Sequence, residues 1–232
     1  YLRYGTVLTV EGANGRLGSG ALVNRWGTLN LNNSNSTLRS SLFLGDSTQG
    51  DGDAIVNIAD GQTMQLFSGI NYVADNNNDN QGFINGGNIR ISGANRTINI
   101  GENANLAANE PELTISGGTL DDDNGTRDVT VIGGGTLSLG LTSATNDRWI
   151  FSNPKTILTD DSLGVGRVFV QQRNNANLSN FDVQLDINGQ TIDLHENLVL
   201  GSGGTNNVAQ ISTLSVVCLL YTSPSPRDVV PS

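Results

Sequence analysis

The chain has 232 residues, with 29 glycines, still more asparagine, 5% aromatic and 15% charged residues, and a net charge of −10. That length suits one sizeable domain or one elongated array, and its apolar content and clear patterning exclude an intrinsically disordered chain. A single lysine, Lys155, among twelve basic residues and no basic cluster argue against nucleic acid and anionic membranes as partners, and no run of about 18 apolar residues marks a membrane-spanning helix.

Taken in order, Val7 to Val10 reads as a first strand, Gly18 to Val23 as a second and Gly27 to Leu31 as a third. Leu42 to Leu44 and Ala54 to Ile58 follow, the latter after the acidic turn Gly50-Asp51-Gly52-Asp53. Asp60 to Leu66 places Met64 and Leu66 on one face of a strand. Asp75 to Asn80 is almost all Asn and Asp and is expected to project as a loop. Gly86 to Ile91 and Arg96 to Ile100 are further strands, and Leu106 to Ala108 has room for at most one helical turn before Pro111. Beyond Gly140, strands are expected at Arg148 to Phe151, Thr156 to Leu158, Arg167 to Val170, Val183 to Ile187, Gln190 to Leu194, Leu198 to Leu200 and Val208 to Val216. No segment sustains a 3.6-residue period, so the chain is all-β.

The stretch Glu112 to Gly140 carries the clearest pattern. A short alternating strand, a glycine corner and Thr-Leu occur twice, which makes Thr119 and Thr136 equivalent positions. Strand side chains alternate, so Leu137 and Leu139 point one way while Thr136 and Ser138 point the other. Leucines stacked coil upon coil give a β-solenoid with loops of variable length. The expected inward set is Leu29, Leu31, Met64, Leu66, Ile89, Ile91, Ile98, Ile100, Leu120, Leu137, Leu139, Ile192 and Leu194. Arg90, Asn99 and Ser138 are expected outside. Asparagine in equivalent positions can form side-chain ladders along such a stack. The alternative architecture is a β-sandwich.

Chemistry-bearing residues are sparse. Asp121-Asp122-Asp123-Asn124-Gly125, with Arg127 and Asp128, is the densest carboxylate cluster. It reads as a solvated turn, a Ca²⁺ site or a pair of acid–base carboxylates. The turn reading is preferred, because adjacent aspartates repel and an EF-hand spacing is missing. Gly50 to Asp53 departs from the glycine-rich calcium repeat, because its phrase is not in tandem. His195, the only histidine, lacks a second histidine and is a poor metal or triad residue. Asn-x-Ser/Thr sequons at Asn35, Asn95 and Asn177 are expected by chance in such a composition. No catalytic group, metal or cofactor is therefore assigned. The residues expected to meet a ligand are Asp75, Asp79, Asp121, Asp123 and Asp128, on the two acidic loops.

The character changes at Cys218. Cys218 to Asp228 resembles the in-frame translation of a transposase-type sequencing-library adapter, and three of the five prolines fall in the last nine residues. The expected organisation is a solenoid over 1–217 and an artefactual, poorly packed tail over 218–232. The absence of an initial Met leads to the expectation of an internal fragment.

Gly133 to Gly140, Gly86 to Gly93, Ile187 to Leu194 and Gly18 to Leu31 resemble the strand repeats of autotransporter passenger domains. That resemblance implies a right-handed parallel β-helix, exported to the bacterial surface or secreted. It implies a structural or adhesive role, with a glycan or a cell-surface or matrix protein as partner. Two other readings stay open: a carbohydrate-active β-helix of the pectate-lyase or polygalacturonase type, the latter of which carries Gly-His-Gly and Arg-Ile-Lys phrases absent here, and a phage tail-spike or S-layer-like module.

Overall fold

Alternation of apolar and polar residues forces each short segment to bury one side. Stacking such segments in parallel lets every coil bury that side against the next. The computed structural model describes residues 1–12, 17, 20–32, 36–38, 40–47, 50, 52–75, 77–108, 110–122, 127–143, 148–160, 163, 167–171, 183–188, 198–200 and 213–215. Among them lie twenty strands and no helix. The first coil holds β1 (Val7–Val10) and β2 (Leu22–Asn24). Next come β3 (Thr28–Leu31), β4 (Ser36–Leu38) and β5 (Leu42–Gly45). Then follow β6 (Ala54–Ile58), β7 (Thr63–Leu66) and β8 (Ile70–Val73), and after them β9 (Gly82–Asn85), β10 (Asn88–Ile91) and β11 (Arg96–Ile100). The later coils have longer strands or fewer of them: β12 (Leu113–Asp122) and β13 (Asp128–Gly133), then β14 (Thr136–Ser143) and β15 (Arg148–Ser152). The last are β16 (Lys155–Leu158), β17 (Val168–Val170), β18 (Gln184–Asp186), β19 (Leu198–Leu200) and β20 (Thr213–Ser215).

All described strand pairings are parallel, and each joins a strand to its counterpart one coil away. Three faces result. The first runs β1-β3-β6-β9-β12-β14-β16-β18-β20, and the third runs β2-β5-β8-β11-β13-β15-β17-β19. The second, between them, is β4-β7-β10 and the far end of β12. This is a parallel β-solenoid. A sandwich of antiparallel hairpins is excluded.

The core is the lumen. On the first face Leu29, Val56, Ile84, Ile115, Leu139 and Leu158 stack in register through six coils, all buried. Burying each such side chain fully contributes about 1.5–3 kcal/mol. On the third face Trp149 and Phe151, two residues apart and both inward, stack with ring centroids 5.7 Å apart. The expected inward residues from Leu29 to Leu139 are all buried; Ile192 and Leu194 lie outside the described residues. The Gln190 to Leu194 strand and the whole of 218–232 also lie outside them.

Three expectations are corrected. Thr119 and Thr136 are not equivalent: Leu113 pairs with Leu137, so Thr136 follows the third corner while Thr119 opens the second face, in register with Thr142. The glycine-Thr-Leu phrase marks corners, wherever on the coil they fall. Ser138 is buried at 8% exposure although alternation points it outward. Its neighbours in register are Thr114 and Ile157, and a serine between larger side chains is shaded from the flanks. Third, Asp75 to Asn80 does not project. Asp75 and Asn80 are both buried, because the loop folds back onto its neighbours. Three strands are present that alternation alone did not single out: β4, β8 and β9.

Gly82 explains why β8 and β9 were hard to see. It faces the lumen, where a Cβ would stand 2.9 Å from Tyr72 Cδ2 and 3.2 Å from Leu113 Cδ1. The missing side chain makes space for the inward Tyr72 ring. That tyrosine is an unusual lumen residue, and its hydroxyl donates to the carbonyl of Asn80 at 2.6 Å.

Candidate functional site

Among the described residues two polar constructions extend furthest along the solenoid, beside a shorter row, Thr37–Gln65–Ser92, on the second face. The first is the corner between the third and first faces. Parallel coils cannot close that corner by hairpin bonds, so side chains satisfy the turning backbone. In the first such corner the buried Asn24 donates to the carbonyls of Gly27 and Ile55, both at 2.9 Å, and accepts from Gly27 N–H at 2.9 Å. Near the other end the buried Asn153 donates to Lys155 O at 2.6 Å and accepts from Thr156 Oγ1 at 3.0 Å.

Between these, carboxylates take over. Asp75 accepts from Asn77 N–H and Asn77 Nδ2, each at 3.0 Å, from Asn78 Nδ2 at 2.9 Å and from Gly50 N–H at 3.3 Å. Burial pushes its pKa upward, but the hydrogen bonds from Asn78, Asn77 and Gly50 outweigh that and hold it below the usual carboxylate value. Asn78 and Asn80 donate to Gly50 O, and Asn103 in the following coil donates to Asn78 O and Asn80 O. Glu112 then accepts from Asn103 N–H at 3.2 Å and from Thr136 N–H at 2.6 Å. Burial raises the Glu112 pKa, against the effect of those two N–H donors. Burial likewise pushes the Tyr72 hydroxyl well above its ordinary value. Four successive coils are stapled in this way.

The second construction is on the first face, pointing outward. Asn30, Asn57 and Asn85 occupy one register row. Asn57 Nδ2 donates to Asn30 Oδ1 at 2.9 Å, Asn85 Nδ2 to Asn57 Oδ1 at 3.1 Å, and Ser116 Oγ to Asn85 Oδ1 at 3.1 Å. The sequence separations are 27, 28 and 31 residues. These unequal steps hide the row from any fixed-period search. Beside it runs a second row, Thr28, Ile55, Phe83 and Thr114, also outward and half-buried.

The expected ligand residues are distributed as follows. Asp75 is enclosed in the corner. Asp79 is exposed on the same loop. Asp121 pairs across coils with Arg90, Nη2 to Oδ2 2.9 Å, both half-exposed. Asp128 is held by Arg148, whose Nε lies 2.7 Å from Oδ1 and whose Nη2 contacts Oδ2, and by Asn95 Nδ2 at 3.2 Å. The Asp128 hydrogen bond raises the Arg148 pKa. Arg148 also sits over the Phe169 ring, 5.5 Å from its centroid. Asp123, Asp51, His195, Asn35 and Asn177 lie outside the described residues. Asn95 is exposed at a corner. Among the described residues no three or more His, Cys, Asp or Glu gather to hold a metal ion.

The lumen holds a small void. An apolar void of about 20 Å³ beside Trp149, Leu141 and Ile98 is close to the size of one water.

No protein-family model, no curated protein and no solved structure matches this chain.

Proposed function

We propose that the chain is a non-catalytic structural or adhesive segment of an exported bacterial surface protein, of the autotransporter-passenger type its repeats resemble. One observation carries the reading: the buried and half-buried carboxylates bind the solenoid's own groups. Asp75 holds Gly50 N–H of the preceding coil, Glu112 holds Thr136 N–H of the following coil, and Asp128 holds Arg148. Acid–base catalysis needs two such groups converging on one reacting atom at about 3 Å, and these are spent on joining coils. A scaffold of this kind presents long, preformed faces to a glycan or to a cell-surface or matrix protein.

The test is to incubate the purified chain with polyuronate and neutral polysaccharides, with and without Ca²⁺, and assay for new reducing ends or unsaturated products. No turnover of any of them is the expected result. Turnover that disappears in an Asp121→Ala/Asp123→Ala variant overturns the proposal. Antibody labelling of intact against lysed source cells checks the location, with equal labelling expected.

A further inference from the structure

We infer that the outward side of the first face, centred on Phe83 and the Asn30–Asn57–Asn85–Ser116 ladder, is a binding strip for a neutral, extended polysaccharide. The inference rests on the reading of the chain as a non-catalytic surface segment and names the ligand class.

Charge is the first argument. The chain carries a net charge of −10, yet the outward positions of this face from β3 through the start of β14 are all uncharged. Charge returns only at Lys155 and Asp186, which approach each other to 4.0 Å. The second face, by contrast, has the Arg90–Asp121 pair outward. An uncharged strip on an acidic protein suits a neutral polyhydroxyl chain and disfavours polyuronates, which the overall charge repels.

Hydrogen-bonding capacity is the second. A carboxamide has two N–H donors and two acceptor lone pairs. In the ladder Asn57 gives one donor to Asn30 and one acceptor to Asn85, so one of each is left to face outward. Sugar hydroxyls both donate and accept, and match such paired groups. The ladder bonds fix each amide before a ligand arrives, so little side-chain freedom is lost on binding. Adjacent strands are about 4.8 Å apart, so the groups recur at constant pitch along the axis.

The third is Phe83. Its ring is outward and half-buried, flanked in register by Ile55 and Thr114 and one row from the amides. An aromatic face attracts the polarised C–H groups of a sugar ring. An apolar platform beside a row of amides complements a ribbon whose rings have apolar faces and hydroxyl edges. The second face also has a side-chain ladder, Thr37–Gln65–Ser92, with the exposed Phe67 near it, but there Arg90 stands in register with Gln65 and brings charge into the row.

The experiment uses the full chain and gels cast with neutral glucan, mannan or polygalacturonate. Retardation in at least one neutral polymer and none in polygalacturonate is expected. Phe83→Ala should weaken that retardation about tenfold while leaving the circular dichroism spectrum unchanged. Asn57→Asp, which puts a carboxylate in the ladder, should also weaken it. Arg90→Ala, on the second face, should leave it intact. No retardation in any neutral polymer, or equal losses for Phe83→Ala and Arg90→Ala, overturns the inference and leaves the scaffold reading standing. Cleavage of a retained neutral polymer does the reverse: the strip survives and the non-catalytic reading falls.

Discussion

Replacing Gly118 and Gly61 separately by alanine separates two costs that a glycine corner combines. Both glycines turn the chain from the first face to the second, with φ of +71° and +73°. A left-handed backbone costs an alanine about 1–2 kcal/mol. At Gly61 nothing lies within 4 Å of the added Cβ, so that is the whole penalty. At Gly118 the Cβ would stand 1.2 Å from the carbonyl oxygen of Gly87 in the coil before. Carbon–oxygen contacts settle at about 3.3–3.6 Å, so one backbone must move by about 2 Å. The bonds from Thr119 N–H and Oγ1 to Asn88 Oδ1, at 3.2 and 2.8 Å, lie in the path of that movement. Overpacking adds about 1–3 kcal/mol, so Gly118→Ala should destabilise by about 2–5 kcal/mol against about 1–2 kcal/mol for Gly61→Ala. Parallel guanidinium titrations with matched slopes measure the difference, and hydrogen exchange in β10 and β12 should localise it. If the two variants agree within about 0.5 kcal/mol, close coil approach is not what demands glycine.

Asn57→Ala removes the middle of the ladder and leaves Asn30 and Asn85 each one partner short; at about 1 kcal/mol per net hydrogen bond it should cost about 1–2 kcal/mol, read from the same titration. Tyr72→Phe should cost about 1 kcal/mol rather than more, because Asn80 O keeps its bond from Asn103; a loss above about 3 kcal/mol would contradict that. Asp75 titrates below its ordinary value in the fold, so its contribution is present above about pH 4 and is lost as the pH falls through the lower folded value. The stability gap between the parent chain and Asp75→Asn should therefore narrow on acidification, and a gap independent of pH would argue against the stapled corner. Glu112, with its pKa raised, has the opposite sign: its contribution is largest below the ordinary glutamate value and falls as the pH rises through the folded one. Gly82→Ala should destabilise through its contact with Tyr72, and combining it with Tyr72→Leu should recover part of the loss.

The lumen was legible because each coil repeats a local rule. Leu29, Leu31, Leu137 and Leu139 announce their side by alternation alone, and no knowledge of the next coil is needed. The ladder was not legible in position, although the composition suggested its type. Asn30, Asn57 and Asn85 align only when loops of different length are discounted, and one sequence offers no way to do that. Asp75 was misjudged for a related reason. In isolation a run of Asn and Asp reads as a solvated loop, while here the donors that enclose it come partly from Gly50, in the preceding coil. Glu112 was overlooked as a lone carboxylate before a strand, and its two N–H partners lie nine and twenty-four residues away.

Coils that touch only their neighbours also set how the molecule bears load. Stacked, one coil adds about 4.8 Å to the long axis. Unravelled, the 19 to 31 residues between first-face register partners of neighbouring coils extend to about 65–105 Å at about 3.4 Å per residue. Tension applied at the two ends would peel coils away singly, each extending to about 13 to 22 times its stacked height. The unequal coil lengths would then appear as unequal steps in a force–extension trace, and the solenoid would lengthen in increments before it parted.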